Sequence, residues 1–229
     1  MGPIRFFIDF DGTITTRDVV DAILERFASA EWRAVEEEWA AGKIGSRECL
    51  SRQMALVQVS QSELKRLLKE IQVDKDFASF LKRAAEFSVP VAIVSDGFDF
   101  VIREVLAQHF KRSPALVENL PVFSNRLIWV NGRLQVAFSE GPACAHGCAN
   151  CKPRVIDSLR ASGDATVFVG DGLSDRFAAK VSDLTFAKGK LLKFCKEHKI
   201  RHKSYESFRE IEEWLAGSLA IQNASYSLS

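Results

Sequence analysis

The sequence predicts an α/β fold, a doubly wound parallel sheet with a helical cap inserted after the first strand. Three observations predict it. "IRFFID" (4–9), "PVAIVSD" (90–96) and "ATVFVGDG" (165–172) are nearly continuous apolar runs of strand length. Unbroken apolarity marks strands covered on both faces, as in a parallel sheet. From residue 76 onward such runs alternate with helical stretches, whereas 16–75 shows helical spacing alone.

Taken in order, the first run ends at Asp9. From about Thr16 to Met54 the spacing turns helical: Val19, Val20, Ile23, Leu24 and Phe27, then Trp32, Val35 and Trp39. Gly42 and Gly45 interrupt that pattern. "SRECLSRQMALV" and "SQSELKRLLKEI" read as two further helices, the second N-capped by Ser60 or Ser62. Residues 76–87 form an amphipathic helix leading into the 90–96 strand, and Phe100 to Phe110 is helical again. "RLIWVNGRLQVAF" alternates around Asn131-Gly132, a hairpin signal because both turn positions need positive φ. "RVIDSLRAS" is a helix, "ATVFVGDG" a buried strand, "DLTFAK" a fourth strand and "FREIEEWLAGS" a short closing helix. The last dozen residues lack periodicity and read as a loose tail. These boundaries divide the chain into an α/β core, 1–15 and 76–229, and a helical cap, 16–75.

The bulk numbers narrow the function classes. Of 229 residues, 47% are hydrophobic and 27% charged, the balance of a soluble globular protein. A net charge of +1 gives no electrostatic case for nucleic acid or an anionic membrane. The basic stretch "KEHKIRHK" (196–203) reads as a solvated helix end. No run approaches the roughly 18 apolar residues that cross a bilayer. The N-terminus does not follow the pattern of a signal peptide. Five cysteines, three crowded between 144 and 151, do not make a secreted disulfide framework, so the expected compartment is the cytoplasm.

Three predicted strands end in polar residues: Asp9 with Asp11, then Ser95, then Asp171 with Asp175 four residues on. Open parallel sheets bind ligands outside the carboxyl ends of their strands. A carboxylate resists burial unless it is paired or bound to a metal. Four of them at strand ends suit a hard divalent cation with oxygen ligands. Mg²⁺ is commonly held by one or two carboxylates, waters and a substrate phosphate, so the implied partner is a small-molecule phosphate ester. The plain alternative, aspartates that end a strand and cap a helix, would explain one such motif but not several in register.

"DFDGT" (9–13), "VAIVS" (91–95), Lys152 before Pro153, and "GDGLSD" (170–175) resemble, in order and spacing, the four motifs of the haloacid dehalogenase superfamily. The likeness covers nearly the whole chain and implies a Rossmann-type core. A helical insert just after the first motif, and "NRL…NGRL" at 125–134, resemble its phosphoserine phosphatase-like branch. The resemblance implies an Mg²⁺-dependent phosphomonoester hydrolase. Asp9 would be the nucleophile, forming a phosphoaspartate, and Asp11 the acid and base. The metal would be held by the Asp9 carboxylate, the Asp11 carbonyl and Asp171, with Asp175 direct or through water. Ser95, the Gly97 amide and Lys152 would hold the phosphoryl oxygens, and Gly12 lines the same turn. A non-catalytic phosphate-binding module is the reading from another class. No catalytic position is replaced, which argues against it.

Substrate choice lies in the cap. "DFDGTITTRDVVDAILERFASAEW", "GCANCKPRVIDSL" and "SDLTFAKGKLLKFCKEHKI" resemble bacterial phosphatases of methionine salvage more than phosphoserine phosphatases. Phosphoserine or another small phosphate ester, such as phosphocholine, stays as the alternative. In phosphoserine phosphatases a cap arginine grips the substrate carboxylate. Aligning "GKI" (42–44) puts Gln53 at or next to that place, with Arg52 beside it. Asp18 fills the acidic position of the first cap helix, where phosphoserine phosphatases carry glutamate. A plain surface ion pair is the competing reading for Asp18 and Arg52. Phe27, Trp32 and Trp39 pack the cap, and one of them facing the site would offer an apolar wall.

"CAHGCANCK" (144–152) admits three readings. Cys144, Cys148, Cys151 and His146 are a ligand set for structural Zn²⁺, although His146 sits close in sequence to both Cys144 and Cys148. A redox-sensitive Cys148–Cys151 pair is the second reading, and three reduced thiols are the third. Cys49 and Cys195 read as buried hydrophobes.

Overall fold

The computed structural model describes residues 2–130, 133–139 and 144–226. Seven strands form one sheet: β1 (Ile4–Ile8), β2 (Val91–Phe98), β3 (Val122–Val130), β4 (Arg133–Ala137), β5 (Ala165–Gly170), β6 (Leu184–Ala187) and β7 (His202–Ser204). Their order is β4-β3-β2-β1-β5-β6-β7, and every pairing is parallel except β3 with β4. The Asn131-Gly132 turn predicted between β3 and β4 lies outside the described residues.

Eleven helices are described: α1 (Val19–Phe27), α2 (Trp32–Ala40), α3 (Ser46–Met54), α4 (Gln61–Leu68), α5 (Phe77–Glu86), α6 (Asp99–His109), α7 (Ala115–Glu118), α8 (Lys152–Leu159), α9 (Arg176–Val181), α10 (Gly189–Glu197) and α11 (Phe208–Tyr226). The unbroken apolarity of β1 serves both sheet faces. Phe6 and Ile8 join a core with Phe77 and Phe80 of α5, Ile102 of α6, and Phe208 and Leu215 of α11. Phe7 joins a second core with Ile156 of α8, Ala178 of α9 and Leu191 of α10. Burying a phenylalanine contributes on the order of 2 kcal/mol, so both layers hold the sheet.

Between β1 and α5 the chain forms four helices, α1–α4, with two isolated antiparallel bridges and no strand. Its entry and exit run side by side. Thr15 and Val73 form an antiparallel bridge. The Thr16 amide donates to the Gln72 carbonyl at 3.0 Å, and the Asp74 amide to the Ile14 carbonyl at 2.8 Å. Asp18 N-caps α1, accepting from the Asp21 amide at 2.9 Å. Ser60, not Ser62, caps α4, and Glu63 returns the bond to the Ser60 amide at 3.0 Å.

Two expectations are corrected. The closing helix does not stop near residue 218 but runs on to Tyr226. Ile211 and Leu215 anchor it in the core, and the Leu-Ala-rich segment after Gly217 favours continuing the helix. Strand β7 was not foreseen: the basic stretch 196–203, read as a solvated helix end, does hold the end of α10 but then runs on into β7.

Candidate active site

The first three parallel strands of the sheet's centre converge at their carboxyl ends. β1 delivers Asp9 into a loop where Gly12 takes φ +71°, open to glycine. A side chain there would also strike Asp171: a Cβ would lie 2.5 Å from its Oδ2. β2 pairs Val94 with Phe123 and Phe98 with Asn125, so two residues more are spent on β2 than on β3. That bulge turns Ser95, Asp96 and Gly97 toward the β1 loop. β5 ends at Gly170, followed by Asp171 and a single 3₁₀ turn, Leu173–Asp175.

Lys152, at the start of α8, is buried and ties the groups together. Its Nζ donates to Asp9 Oδ1 at 2.6 Å and to Asp175 Oδ1. Asp175 is fully buried, and its other oxygen accepts from the amides of Asp171 and Gly172, both at 3.1 Å. Thr13 Oγ donates to Asp171 Oδ1 at 2.8 Å. Ser95 Oγ accepts from the Gly97 amide at 2.8 Å and donates to Asp11 Oδ2 at 3.2 Å. The other Asp11 oxygen accepts from the Val19 amide at 3.2 Å, which joins the site to the start of α1.

Charge is unbalanced here. Burial, then the Asp175 charge, pushes Asp9 well above the usual carboxylate range, against the pull of Lys152. Burial raises Asp11 to about 6, although bonds from Val19 and Ser95 oppose it. Burial and the Asp175 charge raise Asp171 to about 6. Burial depresses Lys152, but Asp175, Asp9 and Asp96 more than reverse that and keep it protonated. Lys152, with Lys188 near Asp171, therefore faces more carboxylates than the two can neutralise. Carboxylate oxygens of Asp9, Asp171 and Asp175 lie within 4.8 Å of one another. All-oxygen donors with excess negative charge fit a hard divalent cation such as Mg²⁺.

The structure thus gathers Asp9, Asp11, Gly12, Ser95, Gly97, Lys152, Asp171 and Asp175 around one point. Asp18 lies on the wall of the cavity above them, which holds about 330 Å³. Arg52 is not brought there. Its guanidinium points to the surface, bonding Glu38 at 2.7 and 3.0 Å and Glu48 at 3.4 Å. One position along α3, buried Gln53 lines the cavity and donates to Glu36 at 2.9 Å. Trp39 is the aromatic that faces the cavity, beside Val20, Leu50 and Leu173, while Trp32 is buried in the core.

Sequence reasoning missed the residues that hold the β2 bulge. Asn150 donates to the carbonyls of Ser95 (3.0 Å) and Phe123 (2.8 Å), and Asn125 donates to the carbonyl of Asp96 (2.7 Å). Asp96 accepts from the Asn150 amide and lines the cavity. Their only signal was proximity to the motifs: Asn150 stands two residues before Lys152.

The chain belongs to the haloacid dehalogenase-like hydrolases, whose family model matches residues 6–180. Among curated relatives, the 2-hydroxy-3-keto-5-methylthiopentenyl-1-phosphate phosphatase of Bacillus pumilus (strain SAFR-032) is 29% identical over 220 residues, covering 90% of this chain and 92% of its own length. The protein of that name from Bacillus velezensis (strain DSM 23117 / BGSC 10A6 / LMG 26770 / FZB42) is 29% identical, covering 89% of this chain and 86% of its own. A substrate-bound phosphoserine phosphatase superposes with a TM-score of 0.68 at 22% identity, covering 93% of this chain and 99% of its own, which shows a shared fold. Family and relatives together make the chain a phosphatase. Among the described residues no helix is long and apolar enough to cross a membrane.

Proposed function

We propose that the chain hydrolyses the phosphate monoester 2-hydroxy-3-keto-5-methylthiopentenyl-1-phosphate, a step of methionine salvage, through a phosphoaspartate on Asp9. The observation that carries the reading is the buried Lys152 bridging Asp9 and Asp175, with Asp11 and Ser95 alongside.

Lys152 stays charged and holds Asp9 in place, so that one Asp9 oxygen is free to attack phosphorus. Asp11, raised to about 6 by burial, carries a proton in an appreciable fraction of molecules near neutrality. It passes that proton to the leaving alcohol as the ester P–O bond breaks. It then takes a proton from water, whose oxygen attacks the phosphoaspartate, releasing phosphate and restoring Asp9. Ser95, the Gly97 amide and Lys152 supply donors to the phosphoryl oxygens. Asp9, Asp171 and Asp175, with the Asp11 carbonyl, would hold Mg²⁺, which supplies charge neutralisation between nucleophile and phosphate. Residues 16–75 act as the cap over this site, entering and leaving at the Thr15–Val73 bridge.

The cavity wall supports the substrate. A carboxylate-bearing ester such as phosphoserine would meet Asp18, Asp21 and Glu36 against Lys190, the single wall cation among the described residues, with Arg52 turned outward. Val20, Trp39, Leu50 and Leu173 suit an apolar methylthio end instead. The same acidic residues favour a second reading, an ester with a cationic alcohol portion such as phosphocholine. A panel of the salvage ester, phosphoserine and phosphocholine decides. The salvage ester should lead in kcat/KM by about a hundredfold, or ~3 kcal/mol at the transition state. Leadership by phosphocholine would move the assignment to the second reading. Arg52→Ala should change kcat/KM by less than about twofold, because the guanidinium bonds Glu38 and Glu48 in solvent and does not line the cavity. A tenfold loss on any ester would place Arg52 in the site after all.

The charge imbalance gives a metal prediction. Asp11 and Asp171 are raised when folded, so the native state binds more protons than the unfolded one. Their contribution to stability is therefore lost as pH rises from about 4 to about 6. Mg²⁺ at ~100 times its Kd should restore about 2.7 kcal/mol near neutrality, or ~5–10 °C in Tm. The gain should shrink towards pH 4, where protons occupy the same oxygens. A pH-independent gain would point to binding elsewhere.

A further inference from the structure

We infer that Cys144, Cys148 and Cys151 form a site for a thiophilic divalent cation, zinc foremost, on the loop that leads into Lys152. The inference is independent of the substrate reading. The sulfurs of the three residues all lie within 4.8 Å of one another, and all three are free thiols. Zinc–thiolate bonds of ~2.3 Å in a tetrahedron set sulfurs about 3.8 Å apart, so each separation needs to close by at most about 1 Å. All three thiols are partly exposed, so an ion reaches them from solvent.

The loop is shaped around that point. The Gly147 amide donates to the Cys144 carbonyl at 2.9 Å, closing a turn, and Gly147 itself takes φ +63°. The turn aims the amides of His146 and Cys148 at the Cys144 sulfur, where they stabilise a thiolate ligand. Nδ1 of His146 lies 3.6 Å from that sulfur, about the spacing of two ligands on one tetrahedral ion. The His146 ring stacks on Phe177 at 3.8 Å, which fixes its plane near the fourth position.

The setting gives the ion a purpose. A disulfide between any two of these residues would leave the third thiol unpaired, whereas one cation uses all three. The loop's other contacts lie on both sides of the cavity. The Gly147 carbonyl accepts from the Arg47 amide of α3 at 3.0 Å. Asn150 holds the β2 bulge, and Lys152 begins one residue after Cys151. A metal at the thiols would therefore fix the loop that carries Asn150 and Lys152 into the phosphate site.

The test uses the full chain, purified without chelator, reduced, and titrated with Zn²⁺ and with Co²⁺ as a spectroscopic stand-in. With the carboxylate site filled by saturating Mg²⁺ throughout, one equivalent of zinc per chain should bind, protecting three thiols from a thiol reagent. Co²⁺ should give the strong visible and charge-transfer absorption of tetrahedral thiolate ligation. Cys148→Ser should lose that equivalent, and Cys49→Ser should keep it. His146→Ala should keep the thiolate spectrum but weaken binding by about tenfold or more. If the serine variant fails to fold, chelator added to the wild-type cobalt form still reads out the site, because the charge-transfer band and thiol protection must vanish together. No cobalt–thiolate band, zinc retained in full by folded Cys148→Ser, or a Cys148–Cys151 disulfide in the air-exposed protein with no metal uptake after reduction would overturn the inference.

Discussion

Asp9→Asn should abolish turnover, lowering kcat by about 10⁴-fold or more, because the amide cannot serve as the nucleophile. The fold should survive. Asp9 sits in a cluster whose charge already exceeds what Lys152 neutralises, and the substitution removes one negative charge while Lys152 keeps Asp175. Tm should thus hold or rise, and phosphate release and thermal unfolding measured on one sample separate the two effects. Residual turnover within about a hundredfold of wild type would remove Asp9 from the nucleophilic role.

Lys152→Met should be the most destabilising single change in the site. It leaves Asp9 and Asp175 buried and facing one another without their shared cation. Removing one partner of a buried ion pair costs about 3–5 kcal/mol, or roughly 6–20 °C for a chain of this size. The penalty should grow with pH, since it falls on the ionised carboxylates, and shrink in acid where they take up protons. Mg²⁺ should rescue part of the lost stability but not the activity, because Lys152 also meets the phosphoryl oxygens in the proposed mechanism. A variant as stable as wild type near neutrality would mean the acids are not charged together as described.

The difference between what was legible in the sequence and what was not has physical causes. β1, β2 and β5 were readable because strands buried on both faces carry unbroken apolar runs; β1 and β5 give way to Asp9 and Asp171, whereas β2 runs on past Ser95 and Asp96 to Phe98. β7, "HKS", is three residues at the sheet edge with no apolar pattern to betray it. The basic end of α10 was legible as a helix end, but the charges that follow it hid the start of β7. The strand-end aspartates followed from spacing, whereas Asn125 and Asn150 are single polar residues that act through backbone carbonyls far away in sequence. Arg52 and Gln53 show the same boundary. Neighbours on α3 point to opposite sides, and which one faces the cavity depends on where Glu36 and Glu38 of α2 lie. No local pattern carries that information.

In the proposed mechanism Asp9 takes the phosphoryl group. The most direct test is to mix enzyme, Mg²⁺ and the salvage ester, quench in acid within the first turnovers, and map the phosphorylated peptide by mass spectrometry. A phosphoryl group should appear on Asp9 before free phosphate accumulates and be absent from Asp9→Asn. Phosphate release with no covalent adduct under any quench, or an adduct on another residue, would contradict it.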